Sequence, residues 1–195
     1  MKPIIFSTLM IQAILDGKKT QTRRIVKPQP PQFMDYFEKR GDGFKAYMVP
    51  GEPCDYPLIK PRYQPGDILW VRETWAKRIH SDNRYYYRAD NNLGAIFNRE
   101  DDKWRSPIFM PREAARIFLR VTNVRVERVQ DITAHDAIRE GMESEIPFDT
   151  VDEFKELWNN LNAKRGYGWD TNPWVWVIEF EKISKEEAER LEGLK

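Results

Sequence analysis

Several residue types are scarce in this sequence, and each scarcity removes a class of function. Cysteine occurs once in 195 residues, at Cys54, so no disulfide can form within the chain and a reducing, cytoplasmic setting is expected. The two histidines, His80 and His135, share no short spacing with each other or with Cys54. No acidic run resembles a calcium loop, so no metal and no cofactor are expected. The ten glycines are scattered, which leaves no loop able to cradle phosphates with its backbone. The opening "MKPIIFSTLMIQAILDGKK" is mildly apolar but has no long unbroken run and no small-residue cleavage pattern. A signal peptide and a membrane span are therefore not expected. Formal net charge is only +1, so bulk attraction to nucleic acid or to an acidic membrane is not indicated.

What is present is an ordinary globular composition, 41% apolar with seven Trp and eight Tyr, long enough to bury a core without metal or disulfide support. Residues 1–183 read as a single domain, with 184–195 as a polar helical tail capped by Ser184 and Glu187. "PIIFS" reads as a buried strand and "STLMIQAILDG" as a short helix ending at Gly17, where a left-handed C-cap is wanted. Prolines crowd residues 27–65 with aromatics between them, which predicts an insertion wrapped on the surface. A second insertion spans about 76–108. "YQPGDILWVRETWA" predicts a type II turn at Pro65-Gly66 entering a strand. "ARIFLRVTNVRVERVQDI" is the longest strand signal, with a phase slip near Asn123. Two helices follow. The first is capped by Thr133 and closes at Gly141; the second sets Val151, Phe154, Leu157, Trp158 and Leu161 on one face. "NPWVWVIEFEKI" is apolar on both faces and so predicts a central strand. The fold class is α+β: a small mixed β-barrel with flanking helices and large loop insertions.

The densest charge lies in "DGKKTQTRRIVKP", with Lys18, Lys19, Arg23, Arg24 and Lys27. The plain reading is a solvated edge strand, since edges carry Lys and Arg to prevent pairing. The sharper reading is a pocket for something anionic, or one that needs a lysine of unusual proton affinity. Strand alternation places Thr20, Thr22 and Arg24 on one face and Lys19, Gln21 and Arg23 on the other. Lys19 can join Thr22 only if it leaves from the turn after Gly17, and such a turn is expected.

At "GKKTQTRR" the chain resembles the ASCH family, whose members carry Gly-x-Lys-x-x-Glu-x-Arg after a first helix. Gly17, Lys19 and Arg24 fall on that motif, with Thr22 where many members have Glu. A subgroup similar to the bacterial N4-acetylcytidine amidohydrolases has Lys-Thr-x-Thr-x-Arg here, matched by Lys19, Thr20, Thr22 and Arg24. Glu140-Gly141-Met142 and "VIEF" at 177–180 resemble the rest of that subgroup's pattern. The likeness covers residues 4–26 and 117–181 and the "QPGDILWV" strand. A longer one, through "YQPGDILWVRETW" and "NPWVWVIEFE", is to ASCH proteins of bacterial and prophage origin. Residues 27–62 and 76–108 stand outside it. The resemblance implies a β-barrel related to the RNA-binding PUA domains.

It also implies a catalytic set. Thr22 would attack the acyl carbon of an acetylated cytosine, Lys19 would take its proton, and Glu140 would mediate its return to the leaving nitrogen. Arg24 could orient Glu140 or stabilise the oxyanion. A lysine serves as base only when desolvated or crowded by other cations, and Lys18, Arg23 and Arg24 could supply the crowding. These groups would then meet in one cleft.

Further candidates for substrate binding are Trp70, Glu73, Tyr86 and Arg112. Alternation through "WVRETW" puts Trp70 and Trp75 on opposite faces of one strand, one of them core and the other open to stack a nucleobase. Alternate members of Tyr85–Tyr87 could face the pocket mouth. Arg105, Arg112 and Arg116 could form a phosphate-contacting rim, or could simply be solvated. Two functions remain in view: a metal-free amide hydrolase acting on a modified nucleoside, or a non-catalytic RNA-binding module, with a ribonuclease as its variant.

Overall fold

The structure is a computed structural model and describes residues 1–31, 33–49, 52–53, 55–77, 84–90, 103–143 and 149–194. Ten strands are described: β1 (Lys2–Ile5), β2 (Gln21–Ile25), β3 (Tyr36–Arg40), β4 (Gly43–Val49), β5 (Glu52–Pro53), β6 (Ile68–Arg72), β7 (Trp75–Lys77), β8 (Tyr85–Tyr87), β9 (Phe118–Arg128) and β10 (Trp174–Ile183). The helices are α1 (Thr8–Leu15), α2 (Ala134–Arg139), α3 (Asp149–Asn162) and α4 (Lys185–Gly193). A five-stranded sheet runs β1-β6-β9-β10-β2. In it β1 is parallel to β6, whereas β9 is antiparallel to β6 and β2 antiparallel to β10. The fold is therefore α+β around a mixed sheet. Among the described residues the order runs from β1 to β2 with no closing pair, so no barrel is seen. No helix among them is long and apolar enough to cross a membrane.

By backbone contacts the chain divides into two compact units. One comprises Met1–Lys19, Asp67–Arg120 and Glu181–Lys195; the other comprises Thr20–Gly66 and Val121–Phe180.

In the first unit the Ser7 hydroxyl caps α1 by accepting from the Met10 N–H, and Gly17 takes φ +76° beyond its end. Both the Lys18 and Lys19 N–H groups then bond the Ala13 carbonyl. The expected turn is thus present, and Lys19 stands outside the strand alternation. A hydrophobic cluster joins Ile68, Trp70, Trp75, Met110, Phe118 and Ala188. Ala188 belongs to α4, so the polar tail seats its apolar edge in this core, and Glu192 pairs with the Met1 ammonium.

In the second unit β10 is buried on both faces. Val175 and Val177 join Phe154 and Trp158 of α3 in one cluster, while Trp174 and Trp176 take part in ring contacts with Phe37 and Phe44. The predicted helix stripe holds except at Leu161, which is exposed; Asn162 is buried in its place and donates to the Trp158 carbonyl at 3.1 Å.

Residues 27–65 are more ordered than the prolines predict. They contain the three-stranded antiparallel sheet β3-β4-β5. No proline falls between Pro31 and Pro50, so the prolines bracket the β3–β4 hairpin without interrupting it. Its two-residue loop, Gly41-Asp42, has φ +59° at the glycine alone, the type II′ pattern whose twist suits a hairpin. Gly43 begins β4 under a tighter constraint. A Cβ there would come within 2.8 Å of the Ile59 carbonyl oxygen and of the Leu58 side chain. Phe44 and Ile59 are held together by two backbone bonds of 2.8 and 3.0 Å, so the carbonyl cannot retreat. Gly43→Ala is expected to cost about 1–3 kcal/mol in urea unfolding; a change below about 0.5 kcal/mol would show that the hairpin is not clamped there.

Candidate functional site

The basic stretch becomes β2, and its register against β10 fixes what each side chain faces. Thr22 lies opposite Ile178 and Arg24 opposite Trp176, whereas Gln21 lies opposite Glu179 and Arg23 opposite Val177. Directly paired residues share a face. Thr22 and Arg24 therefore look toward the aromatic side of β10, and Gln21 and Arg23 toward the helix side. The strand lies at the edge of the sheet, and Lys18 and Lys27 beyond its ends are exposed, but the strand itself is not solvated there: Gln21, Thr22 and Arg23 are all buried.

The end of α2 closes on the same strand. The Thr20 N–H donates to the Arg139 carbonyl at 2.9 Å, and the Thr20 carbonyl accepts from the Phe180 N–H at 2.9 Å. Thr133 caps α2 by accepting from the Asp136 N–H, and Glu140 is its C-cap, followed by Gly141 at φ +93°. This geometry explains why Glu140 is only 3% exposed even though it ends a helix.

Its carboxylate is held from the helix side of β2. Arg23 Nη1 donates to Glu140 Oε1 at 3.1 Å, and the same guanidinium bonds Glu127 and, at 3.3 Å, Asp136. Arg125 donates to Glu127 at 3.0 Å, to Asp136 at 3.3 Å and to Glu179, which also takes Arg139 at 3.2 Å. Three arginines and four carboxylates thus interlock. Burial alone would raise the Asp136 pKa, but the Arg23 and Arg125 charges and a hydrogen bond from Gln21 outweigh it and hold the carboxyl below its ordinary value. Gln21 Nε2 also donates to the Asp136 carbonyl at 3.0 Å, which fixes the amide's orientation and leaves its buried Oε1 without a partner.

This network corrects one expectation. Arg23 does not crowd a neighbouring lysine with unbalanced charge; it is balanced by acids from β9 and α2. Arg24 lies on the other face, opposite Trp176. Burial lowers its pKa, countered by Tyr63 and by the charge of Glu140. In the sequence Arg23 is one more cation of the basic stretch, and nothing there points to Asp136. One signal was available: "VRVE" alternates so that Arg125 and Glu127 share a face, and a strand inside a sheet cannot turn that face freely to water.

No family model, curated protein or solved structure matches the chain. The remaining candidates are placed by their own surroundings. Thr22 is 2% exposed. Lys19 is 2% exposed, with its ammonium 5.8 Å from the centre of the Phe6 ring.

Trp70 and Trp75 are both buried and share one hydrophobic cluster, so they do not flank a single strand. The strand ends at Arg72; Glu73 and Thr74 interrupt the alternation, and Trp75 begins β7 opposite Tyr87. Arg72 also covers one face of the Trp70 ring at 4.6 Å.

Glu73 does not project as a binding carboxylate. Arg116 grips it with two bonds, 2.9 and 3.0 Å, and reaches Asp90 at 2.6 Å while lying 4.0 Å over the Tyr87 ring. Tyr87, pushed up to about 12 mainly by burial, donates its hydroxyl to the Ala114 carbonyl at 2.7 Å. Tyr86 is half-buried opposite Ala76. Arg112 is exposed and pairs with Glu192. Of the supposed arginine rim, Arg112 and Arg116 are thus tied to carboxylates. Cys54 and His80 lie outside the described residues, and His135 is exposed. Among the described residues no three His, Cys, Asp or Glu side chains are gathered as metal ligands.

Proposed function

We propose that the chain is an amide hydrolase acting on an acylated nucleoside of the N4-acetylcytidine kind, with Thr22 as nucleophile. The observation that carries this reading is the placement of Thr22, a buried residue on the same strand face as Arg24.

In the proposed reaction Thr22 Oγ1 bonds to the acetyl carbon and gives up its proton, and Arg24 faces the negative charge that gathers on the carbonyl oxygen. The C–N bond then breaks, the nitrogen leaving with that proton as cytidine's amine and the acetyl group staying on Thr22 as an ester. Water cleaves the ester to acetate and restores the hydroxyl. The resemblance to the ASCH family assigns proton uptake to Lys19 and proton return to Glu140, and the charge of Glu140 already acts on Arg24. The same reading carries a PUA-like barrel, supported by β2 beside β10 in a mixed sheet, and a cytoplasmic setting, supported by the single cysteine. RNA binding through this stretch draws less support, because Arg23 is committed to Glu127, Asp136 and Glu140.

Purified protein incubated with N4-acetylcytidine should release cytidine and acetate. Thr22→Ala should lower kcat by about a thousandfold or more, the usual scale for loss of a nucleophile. Absence of turnover, or turnover that survives Thr22→Ala, would overturn the proposal.

A further inference from the structure

The first unit contains a second arrangement that the hydrolase reading does not use. Six of its described cations fall into two groups. Arg112, Arg116 and Arg120 each hold a carboxylate: Glu192, Glu73 with Asp90, and Glu181. Arg72, Lys77 and Arg105 have no carboxylate partner among the described residues. Each lies instead over an aromatic ring: Arg72 over Trp70 at 4.6 Å, Lys77 over Tyr85 at 4.9 Å and Arg105 over Trp75 at 5.1 Å. A cation stacked on a ring is held in place with its charge uncancelled.

The strand register gathers these groups. Trp75 pairs with Tyr87, and Lys77 with Tyr85, across β7 and β8. On the other side of β7 the Trp75 and Arg105 backbones exchange bonds of 2.7 and 3.3 Å in an antiparallel bridge. Opposed residues share a face, so Lys77, Tyr85, Trp75 and Arg105 lie on one surface, with the Trp75 and Tyr85 rings 5.7 Å apart. Arg72 lies over Trp70, a member of the same hydrophobic cluster as Trp75.

Two buried donors in this group have no acceptor: Trp75 Nε1 and Arg72 Nε. Buried N–H groups are rarely left without a partner. Among the described residues the nearby carboxylates are already engaged, Glu73 and Asp90 by Arg116 and Glu113 by the Tyr85 hydroxyl. What the cluster lacks among them is an acceptor that carries negative charge.

We propose that Arg72, Lys77 and Arg105, with the Trp75 indole N–H, form a binding site for a phosphate group. The group can come as free phosphate or as part of a single-stranded polynucleotide, whose bases could stack nearby.

Two probes separate these sources: inorganic phosphate by titration calorimetry and a uridine decaribonucleotide by fluorescence anisotropy. Arg72→Gln, Lys77→Gln and Arg105→Gln should each weaken binding about tenfold or more, and Arg120→Gln, which breaks only the pair with Glu181, should not. If the decamer is the better ligand, the slope of log affinity against log salt should shrink by about 0.7 for each cation removed. Phosphate bound as tightly as the decamer would identify a small-molecule site. In the wild-type protein the Trp75 indole N–H resonance, assigned with Trp75→Phe, should move when either ligand binds, a readout that does not depend on a variant folding. Failure of both probes to move that resonance would overturn the proposal. So would equal loss of binding in Arg120→Gln.

Discussion

Arg23→Met is expected to destabilise the protein by about 3–5 kcal/mol at neutral pH, the scale for removing one partner of a buried ion pair. The Arg23 side chain is 1% exposed, and it answers Glu140 at 3%, Asp136 at 13% and Glu127 at 15%. Arg125 still serves Glu127 and Asp136 in the variant, while Glu140 loses the bond from Arg23 Nη1. Adding Glu140→Gln should therefore recover part of it, with a coupling of about 1–3 kcal/mol in a double-mutant cycle. The acid limb supplies a second readout. The Asp136 pKa is lowered in the folded state, so its contribution is present above the unfolded value and is lost as pH falls through the lowered folded one. Without Arg23 that depression shrinks, and stability should fall less steeply with acid in the variant. Chemical denaturation from pH 7 down to pH 3 tests both points. A loss under about 1 kcal/mol would place the network among ordinary surface pairs.

The network also shows where the sequence is legible and where it stops. Local chemistry can be read directly: Thr133 and Ser184 cap helices as their spacing predicts, Gly17 and Gly141 take positive φ at the predicted helix ends, and Gly66 does so in the predicted turn. Each of those features is settled within a few residues of chain. The apolar pattern of residues 174–183 likewise predicts a central strand, because a run with no polar face has to be covered on both sides, and β10 lies between β9 and β2.

What fails is anything that depends on a partner far along the chain. The cations of β2 cannot reveal that Glu127, Asp136 and Glu140 will meet Arg23, since those contacts span 104 to 117 residues. The alternation rule also fails after Arg72. A period of two holds only while the strand lasts, and Glu73 leaves it to meet Arg116. The candidate catalytic residues are legible as residue types, while the balance of charge around them is a property of the fold.

Arg116→Met tests the other buried carboxylate and should show the opposite pH behaviour. Glu73 is 1% exposed. Burial raises its pKa above the ordinary 4.5, Arg116 pulls it back, and the net shift remains upward. A raised carboxyl pKa means that the folded state holds the proton more tightly than the unfolded chain, so the group's contribution worsens as pH climbs from the unfolded value through the folded one. Removing Arg116 takes away the cation that opposes burial and widens that window. The variant should lose about 3–5 kcal/mol near pH 7 and regain much of it as pH falls toward 5, where the carboxyl can enter the core as a neutral acid. Arg116→Lys should fall between, since a single ammonium keeps the charge without the two-pronged grip. Adding Glu73→Gln to Arg116→Met should flatten the pH dependence, because no buried charge is then left to titrate. Urea unfolding between pH 5 and pH 8 measures all of these. A deficit that stays constant across the range would mean that Arg116 acts through its packing on Tyr87 and its pair with Asp90, with the Glu73 charge contributing nothing.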